Sequence, residues 1–226
     1  MTFIARERPS PEARRAAGER ALKDARAARG YLLEYHKLLC TYDPDLMAAY
    51  EGFYRHLTLL ERSLTYFERE VIWLVLLVVT REAYGDHHIP RAKEAGLSAE
   101  QIHRCMALAG VAEAFPALEF AKAWKDWISA ERLEQHYAAM VAAARGTIPE
   151  QTVEMAMAVA QAARKCAPGM RFHIQRANAL GAPVEKLAEG FSYIILTSGG
   201  PALVDACDMW ADFARAGGCP PPWPLD

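Results

Sequence analysis

The sequence predicts an all-α protein made of duplicated helical units behind an N-terminal helical extension. Three observations predict it. Helix-start signals recur along the whole chain, β-type alternation is scarce, and the nine letters HIPRAKEAG at 88–96 return as HIQRANALG at 173–181. Five of those nine positions agree: His88/His173, Ile89/Ile174, Arg91/Arg176, Ala92/Ala177 and Gly96/Gly181.

Taken in order, Ser10-Pro11 and Asp43-Pro44 each pair a capping residue with proline at the first helical position, which predicts helices over 11–40 and 44–58. Thr65 and Glu68 form a capping box that opens a helix over 66–83. Its apolar run VIWLVLLVV (71–79) has the β-branched content of a buried strand. The counterpart MAMAVAQAA (155–163) reads as helix, however, so the first is taken as a central helix that is apolar all round. A short helix over 87–95 follows. Ser98–Gln101 caps one over 99–114, and Pro116 opens one over 116–144 with Leu118, Ala121, Trp124 and Ile128 on one face. Thr147–Glu150 then introduces 149–165, followed by helices over 170–180, 184–197 and 201–215.

The repeat runs beyond nine letters. Its offset, 173 − 88 = 85, also pairs Glu100 with Glu185, Pro116 with Pro201, Leu118 with Leu203 and Ala121 with Ala206. Upstream the offset is 154 − 70 = 84 for Glu70 and Glu154, so the first copy is one residue shorter in the turn before its histidine. The domain reading is an N-terminal helical extension (1–63), a first unit (64–127), a connecting helix (128–148), and a second unit with a C-terminal tail (149–226). The tail GGCPPPWPLD, with Trp210 and Trp223 near its prolines, reads as an extended segment docked on a surface.

Composition narrows the class. Hydrophobic residues at 52% and charged residues at 24% are those of a folded globular chain. A net charge of −2 without a basic block lacks the footprint of nucleic-acid binding. The run 71–79 is too short to span a bilayer, and the charged N-terminus carries no signal-type apolar core. Five scattered cysteines without a CxxC pair give neither a disulfide framework nor a zinc site, and the adjacent His87-His88 lacks ligand spacing. A cytoplasmic protein with no metal, no membrane and no nucleic acid is expected.

The repeated unit resembles the carboxymuconolactone decarboxylase / alkylhydroperoxidase-D superfamily. That family's pattern is a glutamate, a helix, two cysteines spaced CxxC, a histidine four residues later and a glycine eight beyond it. The second copy supplies Glu154, Cys166, Gly169 in place of the second cysteine, His173 and Gly181. The first supplies Glu70, His88 and Gly96, with Arg81 and Tyr84 at the cysteine positions counted back from the histidine. Alkylhydroperoxidase-type members cycle two cysteines through a disulfide, which a lone Cys166 does not close locally. The resemblance therefore implies the cysteine-poor decarboxylase branch, a cofactor-free enzyme acting on a small lactone or unsaturated carboxylic acid. It also implies a homo-oligomer, with a trimer favoured.

The residues support acid–base chemistry independently. An imidazole shuttles protons near neutrality, a carboxylate on its other nitrogen fixes the tautomer, and a guanidinium grips a substrate carboxylate. Glu70, His88 and Arg91 supply that set once, and Glu154, His173 and Arg176 supply it again. His87 adds a second titratable ring beside Tyr84, although adjacent positions point about 100° apart on a helix. Cys166, before Pro168-Gly169 and near Arg164 and Arg171, is placed for a thiolate at a helix start. Two other readings stand beside this one. The first is a thiol redox protein using Cys166. The second is a non-catalytic binding or scaffold module in which both glutamate–histidine pairs satisfy buried groups. Tyr31, Tyr35, Tyr42, Tyr50, Phe53 and Tyr54 read as core and interface of the extension.

Overall fold

The structure, a computed structural model, describes residues 9–225. Met1–Arg8 at the head of the expected extension, and Asp226, lie outside the described residues. All regular elements among the described residues are helices, and the chain divides into two compact units at the Leu60/Glu61 junction.

The N-terminal unit holds α1 (Pro11–Arg29), α2 (Glu34–Tyr42) and α3 (Pro44–Thr58). Ser10 and Asp43 cap α1 and α3 as their sequence signals require. The single helix expected over 11–40 is two helices. Gly30 takes a left-handed φ of 78° and returns its N–H to the Arg26 carbonyl, which ends α1. Ala25, Cys40 and Met47 form the core of this unit, packed by Leu22, Leu39 and Tyr50. The Tyr35 and Tyr50 hydroxyls meet at 2.9 Å, whereas Tyr31, Tyr42 and Phe53 are exposed.

The C-terminal unit begins with α4 (Tyr66–Val79), a 3₁₀ turn (Ala83–His87), α5 (His88–Glu94) and α6 (Ala99–Ala121). After a second 3₁₀ turn (Lys122–Trp124) come α7 (Ala130–Arg145), α8 (Glu150–Ala163), α9 (Ala167–Ala179), α10 (Val184–Ser192) and α11 (Ile194–Arg215). The Thr65–Glu68 and Ser98–Gln101 capping boxes both form. The Thr147–Glu150 box does not: α8 starts directly behind Pro149, which fixes the entry angle without a side-chain cap. At the centre α4 packs on α8, and both are buried on nearly every face, Arg69 to Leu77 in one and Thr152 to Ala162 in the other. The ambiguous run 71–79 is therefore helix, as its counterpart required.

The copies share backbone detail. Arg81 and Lys165 both take φ 58°, and the next residues, Glu82 and Cys166, close the same turn by donating to the carbonyls of Leu77 and Gln161, each at 2.9 Å. Glu82 is thus the counterpart of Cys166, and Gly85 that of Gly169. This corrects the register that placed Arg81 and Tyr84 at the cysteine positions. The missing residue falls between Gly85 and His88, where a 3₁₀ turn, with fewer residues per turn, replaces the first turn of α9. Both glycines are required by close approach: a Cβ on Gly85 would overlap the Leu77 side chain, and one on Gly169 would stand 2.7 Å from Gln161.

The helices expected to meet at residue 115 do not. Pro116 sits inside a continuous α6, and the break comes at 122–129, leaving Trp124 exposed rather than on a buried stripe. Proline deprives the Ala112 carbonyl of its helical donor. Gln161 Nε2 takes up that carbonyl at 2.9 Å. In the second copy the chain does bend before Pro201, because Gly199 adopts φ 84°, ψ 169°. The equivalent position in the first copy is Ala114, whose Cβ disfavours that conformation.

The two copies also stitch one another. Buried Glu189 on α10 accepts from the backbone N–H of Ser63 and Leu64 ahead of α4, at 2.6 and 2.9 Å. Its counterpart Arg104 (189 − 85 = 104) on α6 donates to the Ala143 carbonyl at the end of α7. The tail docks through Trp210, whose indole donates to the Cys219 carbonyl at 3.0 Å while its ring meets Trp223.

Candidate active site

Each copy brings its glutamate and histidine together. In the first, His88 Nδ1 lies 2.7 Å from Glu70 Oε2, with Glu70 on the first half of α4 and His88 at the start of α5. In the second, His173 Nδ1 lies 2.6 Å from Glu154 Oε2, between α9 and α8. Both carboxylates are fully buried, so each pair is shielded from solvent screening. A carboxylate acceptor at Nδ1 sets the Nδ1–H tautomer and leaves the lone pair on Nε2.

Beyond that shared pair the copies diverge. His173 Nε2 accepts from the Tyr137 hydroxyl at 2.9 Å, and Gln161 Nε2 donates in turn to Tyr137 at 3.4 Å. Phe172 and Tyr137 set their edges against the His173 ring, Phe115 backs Tyr137, and none of the His173 surface is exposed. Every polar atom of His173 is committed. His88 Nε2, by contrast, makes no hydrogen bond among the described residues. Its neighbours are Trp73, with ring centroids 4.8 Å apart, and His87, at 4.6 Å. Trp73 is itself stacked on Tyr193 at 4.5 Å, and the Tyr193 hydroxyl donates to Glu189 at 2.6 Å. The second copy thus braces the aromatic wall of the first.

The arginines part company for a traceable reason. Arg176 donates to Glu154 at 2.6 Å and to Glu150 at 3.0 Å, so it closes the second site and is not available to a ligand. In the first copy Glu150 is replaced by Tyr66, and Arg69 on α4 donates to Glu70 at 3.2 Å while its guanidinium lies over the Tyr66 ring. Arg91 is left without an ion pair among the described residues, and its Nη1 is buried without an acceptor.

Burial lowers the pKa of both site histidines. For His88 the Glu70 hydrogen bond opposes that effect, and the Arg91 and Arg69 charges add to it. For His173 the Glu154 hydrogen bond opposes burial and Arg176 adds to it. His87 is lowered by burial and by the neighbouring His88. Its ring touches His88 despite the 100° between their Cβ directions, because that angle fixes where side chains leave the helix and not where the rings end. Its Nδ1 lies 2.9 Å from the Tyr84 carbonyl, and the Tyr84 phenol stands 71% exposed.

Burial pushes the Cys166 thiol up, against the Gly169 N–H that would stabilise a thiolate. This is opposite in direction to the lowering expected at a helix start. Glu82, at the equivalent place in the first copy, spends its carboxylate on the Tyr84 N–H at 3.0 Å. It also lines a cleft of about 390 Å³ with Leu74, Leu77, Ile89 and Met106, against the turn that leads to His88. No group of three metal-ligating side chains is found among the described residues.

Sequence reasoning missed Trp73, Arg69, Tyr137 and Gln161. Arg69 sits beside Glu70 where the second copy has Val153, and Trp73 stands where it has Met157, so a comparison of the copies position by position singles both out. Tyr137 lay in the segment read as a connector.

Residues 44–126 and 129–212 each match the family model described as the carboxymuconolactone decarboxylase family. The two matches cover most of the chain and reach back into α3 and α7. Comparison with curated proteins and with solved structures gives no match. No helix among the described residues is long and apolar enough to cross a membrane.

Proposed function

The chain belongs to the carboxymuconolactone decarboxylase family, and from that premise we propose a cofactor-independent enzyme acting on a small lactone or unsaturated carboxylic acid. The first copy is its working site. The observation that carries this reading is the difference at Nε2, unbonded in His88 and consumed by Tyr137 in His173. As a base, His88 Nε2 takes a proton next to a carbonyl. As an imidazolium held by Glu70, it returns one to the carbon left when CO₂ departs. Arg91 faces the ligand's carboxylate. Arg176 and Tyr84 drop out of the ligand-binding set, and His173, Glu154 and Cys166 act as scaffold. The thiol reading is disfavoured because the Cys166 thiol is held protonated by burial and has no partner cysteine at the Gly169 position.

The test is a panel of lactone acids and conjugated unsaturated acids, followed by loss of ultraviolet absorbance and by CO₂ release. Turnover on one member that drops about 100-fold or more in Glu70→Gln is expected. Equal turnover in wild type and Glu70→Gln, with both folded, would remove the acid–base role. We further propose a homotrimer, to be checked by the solution mass from light scattering.

A further inference from the structure

Two buried donors beside His88 have no acceptor. Trp73 Nε1 and Arg91 Nη1 are both shut from solvent and make no hydrogen bond. Buried N–H groups in native proteins are nearly always paired, since an unmade bond leaves the whole desolvation penalty uncompensated. Neither vacancy recurs in the second copy. Met157 replaces Trp73 and brings no donor, and Arg176 is doubly paired to Glu154 and Glu150. The second copy has an unpaired buried donor of its own, Arg164 Nε at the C-terminal end of α8, but the two on the helices that carry a glutamate–histidine pair both belong to the first copy, whose histidine is open.

Trp73 is packed against that ring. Trp73 is held between His88 on one side and Tyr193 on the other, so its indole has little freedom to seek a partner elsewhere. The Tyr193 hydroxyl is committed to Glu189 and offers it nothing. Arg91 is one helical turn beyond His88 on α5, and its charge acts on both His87 and His88. Glu70, the carboxylate of the first pair, is already shared by His88 and Arg69.

The geometry points to Trp73 Nε1 and Arg91 Nη1 as paired recognition donors for one small organic anion. Arg91 takes the carboxylate, and Trp73 takes a carbonyl oxygen conjugated to it. This rests on the first copy being the working site and deepens that reading. During reaction the carbonyl oxygen gains enolate charge as His88 moves the proton, so the Trp73 N–H bond strengthens in the transition state. The substrate class is then an acid with a second acceptor oxygen across a conjugated system, whether lactone or open chain.

The probe is the monomethyl ester of hexa-2,4-dienedioate, which carries one carboxylate and a conjugated ester carbonyl, with hexa-2,4-dienoate, which lacks the second carbonyl, as the control. Both are titrated against the full chain by calorimetry and by the ¹H–¹⁵N resonances of the indoles. In wild type the Trp73 indole resonance shifts downfield with the monoester and stays put with hexa-2,4-dienoate. Trp73→Phe keeps an aromatic ring at this position, smaller than the indole, and removes the N–H; with folding checked by circular dichroism, it is expected to weaken binding about 10-fold. Arg91→Met is expected to weaken it by about 10-fold or more. His88→Gln retains binding while turnover falls, which separates failure of this site from failure of the acid–base reading. No binding to wild type, an unmoved Trp73 resonance at saturation, or equal affinity in Trp73→Phe would each overturn the assignment.

Discussion

The same glutamate–histidine pair sits in two environments within one chain, and the contrast shows what turns such a pair into structure. In the second copy Glu154 and the Tyr137 phenol take up both ring nitrogens of His173, Phe172 packs against its ring, and Gln161 and Phe115 brace Tyr137. In the first copy the corresponding space holds a tryptophan and a second histidine, and the ring keeps an unused nitrogen. A handful of substitutions separates them: Tyr66 for Glu150, Arg69 for Val153, Trp73 for Met157, Leu77 for Gln161, and His87 for Phe172. None of these replaces the glutamate or the histidine.

The contrast can be broken most forcefully at the sealed carboxylate. Glu154→Gln removes the charge that pairs with both His173 and Arg176 in a fully buried setting, and should lower unfolding free energy by about 3–5 kcal/mol. Chemical denaturation reads this directly, and a loss under about 1 kcal/mol would mean the second pair is not structural. Next is Tyr137→Phe, which leaves His173 Nε2 buried without a donor. A loss of about 1–3 kcal/mol with unchanged turnover is expected; lost turnover at intact stability would make the second copy the catalyst.

The most gradual effect is the dependence on pH. His36, His88 and His173 all have pKa values lowered in the folded chain, chiefly by burial. The unfolded chain then binds more protons as pH falls below the ordinary histidine value of about 6.5, so stability is full above it and declines below it. Each histidine contributes a slope of at most about 1.4 kcal/mol per pH unit, and a flat profile from neutrality to pH 5 would contradict buried neutral rings.

How much of this could be read in the letters depends on the kind of signal. The glutamate–histidine pairs were legible because a repeated spacing places them on consecutive helices in both copies. The capping boxes at Thr65 and Ser98 were legible because they are local. Pro116 and Pro201 were misleading as a pair, since the same residue bends one chain and not the other according to whether glycine or alanine lies two positions before it. The register of the turn before His88 was hidden because a one-residue deletion has no visible position until the turn hydrogen bonds fix it. Tyr137 was out of reach for a different reason: it meets His173 from a helix 36 residues away, and no local pattern announces a contact of that kind.

The most direct measurement of the central claim is kcat/KM for His88→Gln beside His173→Gln, on the best acid from the panel, with folding checked by circular dichroism. Loss of about 100-fold or more in the first, and a change within about threefold in the second, is the predicted result. Equal losses in the two, or a loss confined to His173→Gln, would contradict it.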